Sequence, residues 1–428
     1  MTDVPFGVPG ADASRAMLAE ELRHWRGAAA ALTDLDLVAA PATWAALESY
    51  LGRAVRTSLR RSAGDVLRQA DRVAADLAAA RNADDLARVR QGMLRLRGGY
   101  LRAETVIDFY TDAVATRAAP RMGTILRGLD ALAVDGLDRG LRPLGIEVPP
   151  VLTYLDKGLG ASIMRSGARL WDASLSPAAA IKITRHNLLR PTSLLHEDGH
   201  QFAHLTGWNG ELGDALFTAL RPVSAAAAQA WRGWASEVAA DVYAFVLLGY
   251  APVPALATVV DGPAQTVFRM VPGDPHPFGW LRVQFNVALC GEWFGPGPWD
   301  ALGAVWAARH PLDGAPPEAA EVARGSLPRL ANLAGVCTRT PMRAFGGRTL
   351  AELIDPRRVA PAELRQLAGR AGPSLYTSSH LQRLEPMRIL SWSVLQEYLP
   401  TAGSEARPGP TAFESWLHRL GGERSLAA

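Results

Sequence analysis

Residues 196–200 read His-Glu-Asp-Gly-His, an H-E-x-x-H pattern whose residue types and spacing suit metal-assisted hydrolysis. On an α-helix, two histidines four positions apart share a face and lie roughly 6 Å apart along the axis. Their imidazoles can reach one zinc ion, and Glu197 can act as general base toward the water that the ion activates. The motif therefore predicts a hydrolytic zinc site with His196 and His200 as ligands.

The surrounding residues predict that the motif lies on a helix of about four turns. Thr192, which follows a proline, is typical of a helix start, and Gly207 with the Asn209-Gly210 pair is typical of a helix end. Residues 179–184 have the β-branched pattern of a short strand, and residues 151–154 and 161–164 are also strand-like. A sheet edge followed by the motif helix is the order expected beside a metal cleft.

A catalytic zinc needs a third protein ligand and one open position. A histidine ten residues after His196 is excluded, because Thr206 stands there. His204 lies roughly 12 Å along the helix from His196, which is too far for both to bind one ion. His204 is therefore predicted to lie in the core or beside the ligands.

The best candidate for the third ligand lies in the apolar helical segment 234–245, which carries Glu237 and Asp241 one turn apart. Burying a carboxylate is unfavourable unless a metal or a hydrogen-bond partner compensates it. Glu237 is the candidate ligand, and Asp241 can orient a ligand histidine through its second ring nitrogen. The small residues Ala239 and Ala240 allow a close approach to the motif helix. The alternative is an amphipathic helix with two solvated acids.

These two motifs resemble those of the gluzincin metallopeptidases, of which thermolysin is the familiar member. Residues 236–241 are similar to the E-x-x-A-D helix of the prenyl-protein and heat-shock membrane metallopeptidases. His276-Pro277 followed by Arg282 is similar to their H-P-x-x-x-x-R element. The resemblance covers about 90 residues, Leu194 to Arg282.

The resemblance implies a zinc metallopeptidase that acts on a peptide or protein substrate. It implies that His196, His200 and Glu237 bind Zn²⁺ and that Glu197 is the general base. Asp241 would support a ligand histidine. His276 and Arg282 would lie in the cleft, with His276 in a catalytic role.

Composition and terminal patterns indicate an ordinary globular protein. Hydrophobic residues make up 48% and charged residues 20% of the chain, the formal net charge is +3, and only two lysines occur. No nucleic-acid partner is expected from this balance. The longest uncharged apolar stretch, residues 242–260, is broken by glycine and prolines, so no membrane span is expected. Residues 1–15 lack a leader pattern and Cys290 and Cys337 are isolated, which favours the cytoplasm. The sequence does not indicate an oligomeric state.

The predicted fold class is α+β, mostly α, with a zincin-like metallopeptidase core and a small sheet. A helical scaffold or cover region is expected over 1–140, the catalytic region over 141–308, and a helical and loop extension over 309–428. In the first region, Leu47 to Leu59 form one apolar stripe, and helices are expected around residues 86–96 and 101–115.

Two other functions fit parts of the pattern. A zincin-shaped binding or regulatory protein without turnover would keep the same metal site. A carboxylate-bridged di-iron protein would pair Glu197-x-x-His200 with Glu21-x-x-His24, although this leaves His196 unexplained.

Overall fold

The computed structural model describes residues 11–158, 161–166, 176, 178–398 and 410–423. They form mainly helices and one three-stranded sheet, which confirms the α+β, mostly α, class. Two compact units are present, one with the described residues of Met1–Ala119 and Gly167–Pro177 and one with those of Pro120–Ser166 and Ala178–Ala428. The domain boundaries at 140 and 308 remain a prediction, and the compact units follow a different division.

The first unit contains a helical bundle whose apolar stripes face inward. Asn82 caps its longest helix by accepting a hydrogen bond from the backbone N–H of Asp85 (2.8 Å), as the Asn-Ala-Asp-Asp run leads one to expect. The helices are α1 (Ala11–Ala31), α2 (Pro41–Leu51), α3 (Val55–Ala79) and α4 (Ala83–Ala118).

Two local expectations for this unit are wrong. The stripe from Leu47 to Leu59 is divided between α2 and α3, because Gly52 takes a left-handed conformation (φ 62°) and ends α2. The helix expected to stop near residue 96 continues through Gly98 and Gly99 as part of α4. Packing against α1 and α3 stabilises α4 there despite the low helix propensity of glycine.

The second unit holds the sheet and the remaining helices around one apolar core. Its helices are α5 (Pro120–Leu141), α6 (Thr192–Thr206), α7 (Trp208–Leu220), α8 (Ala225–Gly233), α9 (Ala235–Leu248), α10 (Pro252–Val260), α11 (Ala264–Val267), α12 (Gly279–Phe294), α13 (Pro298–Arg309), α14 (Pro317–Ser326), α15 (Leu330–Arg339), α16 (Leu350–Leu353), α17 (Pro361–Ala371), α18 (Ser379–Leu384), α19 (Pro386–Leu395) and α20 (Pro410–Glu423).

The sheet has the order β1-β3-β2, with strands β1 (Val151–Leu155), β2 (Ser162–Met164) and β3 (Ala179–Ile183). Strand β1 runs parallel to β3, and β2 runs antiparallel to it with Ile163 opposite Ile181. All three strands coincide with the segments predicted from the sequence. Strand β2 is therefore at an edge of the sheet, and it contacts α6.

Helix α6 carries the H-E-x-x-H motif and is packed tightly between two other helices. On one side lies α5, where a Cβ at Gly136 would lie 2.6 Å from Leu195 Cδ1. On the other side lies α9, where a Cβ at Gly199 would lie 2.6 Å from Ala240 Cα. The small residues thus bring α9 against α6, as predicted from Ala240, and this contact sets the spacing between the ligand-bearing helices.

Candidate metal centre

Helix α6 presents both motif histidines on one face, as predicted. The helix has the expected length of four turns and ends at Gly207, which is left-handed (φ 70°). Asn209 and Gly210, expected to extend this stop, instead lie in α7, which begins at once with Trp208. The ring centroids of His196 and His200 are 4.8 Å apart in an edge-on arrangement.

Helix α9 brings Glu237 to the same point. Its Oε2 lies 3.4 Å from His196 Nε2, and its Oε1 lies 3.2 Å from His200 Nε2. The side chain is 6% exposed, so the interpretation as a solvated acid on an amphipathic helix is wrong. Glu237 is buried because α9 is apolar around its whole circumference and lies in the core.

His196, His200 and Glu237 form a group that can hold a metal ion. Their ligand atoms all lie within 4.8 Å of one another. Ligands about 2.0–2.1 Å from a tetrahedral ion are about 3.4 Å apart, close to the two observed nitrogen–oxygen distances. Glu237 Oε2 is buried, and Arg282 Nη2 lies 3.2 Å from it as an ion pair. A metal ion between the three ligands would add to that compensation.

Asp241 lies behind the ligands and fixes the orientation of His196. Its Oδ1 is 2.9 Å from His196 Nδ1, a distance that suits a hydrogen bond and leaves Nε2 directed at the ion site. Arg282 on α12 donates two hydrogen bonds to Asp241, from Nε (2.7 Å) and from Nη2 (2.8 Å). Asn286, one turn further along α12, donates a third through Nδ2 (3.2 Å).

The charges around the ligands favour a bound cation. Burial alone would raise the pKa of Glu237, but hydrogen bonds with His196 and His200 and the Arg282 charge hold that pKa well below its usual range. Burial alone would lower the pKa of His196, but hydrogen bonds with Asp241 and Glu237 raise it to about 10. The carboxylates therefore stay ionised at neutral pH, and their field attracts a proton or a metal ion.

Glu197 is suited to accept a proton. Its side chain belongs to the lining of the cavity, and the residue is 5% exposed. Burial raises the pKa of its carboxyl group, and the nearby imidazoles oppose that rise. A carboxylate with a raised pKa is the more effective general base near neutral pH.

The metal-binding group opens into a cavity of about 590 Å³ that belongs entirely to the second unit. One part of its lining is apolar, formed by residues of α10. Another part is the edge strand β2 with the two residues flanking it. Outside the ligand group, the lining includes Ile163, Arg165, Leu256, Val259, Val260 and His276.

His276 reaches the cavity from the loop that precedes α12. Its Nε2 lies 3.3 Å from Glu237 Oε1, and its side chain is 55% exposed. Asp274 holds the ring, because its Oδ1 is 2.6 Å from His276 Nδ1 and accepts a hydrogen bond from the backbone N–H of His276 (3.0 Å). The structure thus brings His276 and Arg282 to the ligands, where the resemblance placed them.

Sequence reasoning missed four residues of this site. Asp274 and Asn286 carry detectable signals, since one lies two residues before His276 and the other one turn after Arg282. Ser236 Oγ lies 3.3 Å from His200 Nδ1, a contact suggested only by its position next to Glu237. Arg165 lines the cavity from the end of β2, and no local pattern indicates this.

Other candidate residues lie away from the ligands. His204 is exposed and does not line the cavity, so the prediction that it lies in the core or beside the ligands is wrong. Neither Glu21 nor His24 belongs to the metal-binding group found among the described residues, so the di-iron pairing has no geometric support. Cys290 and Cys337 are buried free thiols.

Among the described residues, every helix is too short or too polar to cross a lipid bilayer. Comparison of the chain with known protein families, with curated proteins and with solved structures finds no match.

Proposed function

We propose that this protein is a zinc-dependent metallopeptidase of the gluzincin type. The observation that carries the proposal is the convergence of His196, His200 and Glu237 beside Glu197 in one cavity. Two imidazoles and one carboxylate at tetrahedral spacing, with the cavity on one side, form the ligand set of a catalytic zinc site. The E-x-x-A-D form of α9 and the arrangement of Asp241, His276 and Arg282 add to the resemblance.

His196, His200 and Glu237 would hold a zinc ion, which would supply a Lewis acid that lowers the pKa of water toward about 7 and polarises a carbonyl. Glu197 accepts the proton of the attacking water and transfers it to the leaving amine. His276, whose Nδ1 donates a hydrogen bond to Asp274, in its imidazolium form donates a second from Nε2 to the oxyanion that develops on the substrate carbonyl. Asp241 and Arg282 keep His196 in the orientation that this geometry needs.

A peptide is the substrate class that the cavity suits best. Strand β2 pairs with β3 on one side only, and within the described residues no strand pairs with its outer edge. An extended peptide can add to such an edge through backbone hydrogen bonds. The apolar residues of α10 offer a surface for a substrate side chain.

Metal analysis of purified protein tests the ligand assignment. We expect about one zinc per chain in the wild type. Glu237→Ala should lose the zinc, and Glu197→Gln should keep it. Zinc retained in Glu237→Ala would refute the ligand set.

Hydrolysis of a peptide mixture tests the enzymatic assignment and separates it from a binding protein without turnover. We expect Glu197→Gln to lower the rate by about 10²–10⁴-fold, because general base catalysis contributes that much. Zinc-loaded wild-type protein that cleaves no peptide would refute the peptidase proposal.

A further inference from the structure

Arg165 is a positively charged residue of the cavity lining. It follows strand β2, is half-buried and lines the cavity together with the metal-binding group. Arg282, the other arginine of the lining, is paired with Asp241 and Glu237. Arg165 makes no ion pair with any carboxylate of the described residues. A guanidinium partly removed from water without an anion is the less stable arrangement.

The backbone beside Arg165 is anchored to the motif helix. Gln201, the residue after His200, is completely buried and accepts a hydrogen bond from the backbone N–H of Ser166 (2.8 Å). Its Nε2 lies 3.5 Å from the carbonyl oxygen of Ser166. This contact fixes the end of β2 against α6, so the backbone at Arg165 has a set position relative to the ligands and loses little entropy when a ligand binds.

The three carboxylates of the described lining interact with other groups than Arg165. Glu237 and Asp241 are held by His196, His200 and Arg282. Glu197 is buried, and its charge acts on the ligand histidines and Arg282. The residues that α10 contributes are apolar. The guanidinium fork matches a carboxylate in a bidentate, charge-assisted arrangement.

We propose that Arg165 determines specificity by binding a carboxylate of the peptide substrate, which is either an acidic side chain or the terminal carboxylate. This inference rests on the proposed peptidase function. Strand β2 aligns the peptide substrate along its edge. Arg165, at the end of the strand, selects a peptide that places a carboxylate beside its guanidinium.

Paired peptides test the proposal. A peptide cleaved by the zinc-loaded full-length protein is compared with variants in which each acidic residue is replaced by its amide, and with the C-terminally amidated form. We expect one replacement to lower kcat/KM by roughly tenfold to a hundredfold, the range for a hydrogen bond to a charged group. The position of that replacement tells the acidic side chain from the terminal carboxylate.

The same peptides are then given to Arg165→Met, Arg165→Lys and, as control, Arg185→Met. Arg185 is exposed and does not line the cavity. Arg165→Met should cleave the carboxylate and amide forms with about equal kcat/KM, Arg165→Lys should keep part of the preference for the carboxylate, and the control should keep all of it. A preference that survives in Arg165→Met, or a wild type that prefers no carboxylate, would overturn the proposal.

Binding measurements keep this inference separate from the peptidase proposal. Fluorescence polarisation with zinc-loaded Glu197→Gln reports peptide affinity without turnover. If wild type cleaves no peptide but Glu197→Gln binds the carboxylate form in an Arg165-dependent way, the peptidase proposal fails and the role of Arg165 stands. If no peptide binds, both fail.

Discussion

Two parts of the cavity lining differ in how their polar groups are partnered. The ligand wall, formed by α6, α9 and α12, contains Asp241, which contacts His196, Arg282 and Asn286 at once. The substrate wall, formed by β2, α10 and the segment 275–277, has an exposed histidine, apolar residues and an arginine that pairs with no carboxylate among the described residues. A densely connected wall suits an ion of fixed geometry, and a sparsely connected one suits an incoming chain.

Replacing the exposed histidine tests whether the two walls act separately. His276→Ala should lower kcat by about 10²–10³-fold, the effect of losing an oxyanion donor, and should leave the zinc content unchanged. Steady-state kinetics with metal analysis measures both. Loss of zinc in His276→Ala would mean that this residue belongs functionally to the ligand wall.

Removing the ion should reveal how much the ligand wall depends on it. Zinc at 100 times its dissociation constant should stabilise the fold by about 2.7 kcal/mol, since it binds only the folded site. Thermal unfolding with zinc and with a chelator measures this shift, and Glu237→Ala should show none. An equal shift in Glu237→Ala would place the stabilising zinc elsewhere.

Matched changes of one aspartate in each wall sharpen the contrast. Asp241→Asn should weaken zinc binding by about 10–100-fold, because it disturbs the orientation of His196. Asp274→Asn should leave zinc affinity unchanged and lower only kcat, because Asp274 contacts His276 and no ligand. Competition with a chromogenic chelator measures the affinity. Equal losses of zinc affinity in Asp241→Asn and Asp274→Asn would show that the ligand wall and the substrate wall do not act separately.

The packing of the ligand wall has a smaller expected effect. Gly199→Ala should lower the free energy of unfolding by about 1–3 kcal/mol, since the new methyl group would meet the α9 backbone. The control Gly210→Ala, on α7 with open space around it, should raise it by up to about 1 kcal/mol. Denaturant unfolding measures the free energy of unfolding of both variants. Equal changes in Gly199→Ala and Gly210→Ala would show that α6 and α9 are not in tight contact.

The sequence predicts the ligand wall better than the substrate wall, for a physical reason. His196 and His200 are placed by helical periodicity alone, and Glu237 is conspicuous because a carboxylate in an apolar helix needs a partner. The fold class and the three strands also follow from local patterns. Arg165 carries no such signal, since only the pairing of β2 with β3 and the Gln201 contact bring it to the cavity.

Errors in the helix boundaries have a related cause. The sequence predicted separate helices around 86–96 and 101–115, but contacts with α1 and α3 keep α4 helical through Gly98 and Gly99. Asn209 and Gly210 suggested a loop, but α7 starts directly after the turn at Gly207. Local propensity predicts a helix end correctly where the turn requires a left-handed glycine. At other glycines, tertiary contacts determine whether the helix continues.

The contact between Gly199 and Ala240 gives a stricter pattern for finding related chains. A larger residue at either position would push the two helices apart and separate Glu237 from the histidines. The two motifs are therefore physically coupled, and H-E-x-G-H must be read together with E-x-x-A-D. A search that requires the glycine and the alanine as a pair would reject chance H-E-x-x-H matches that lack a second helix at this distance.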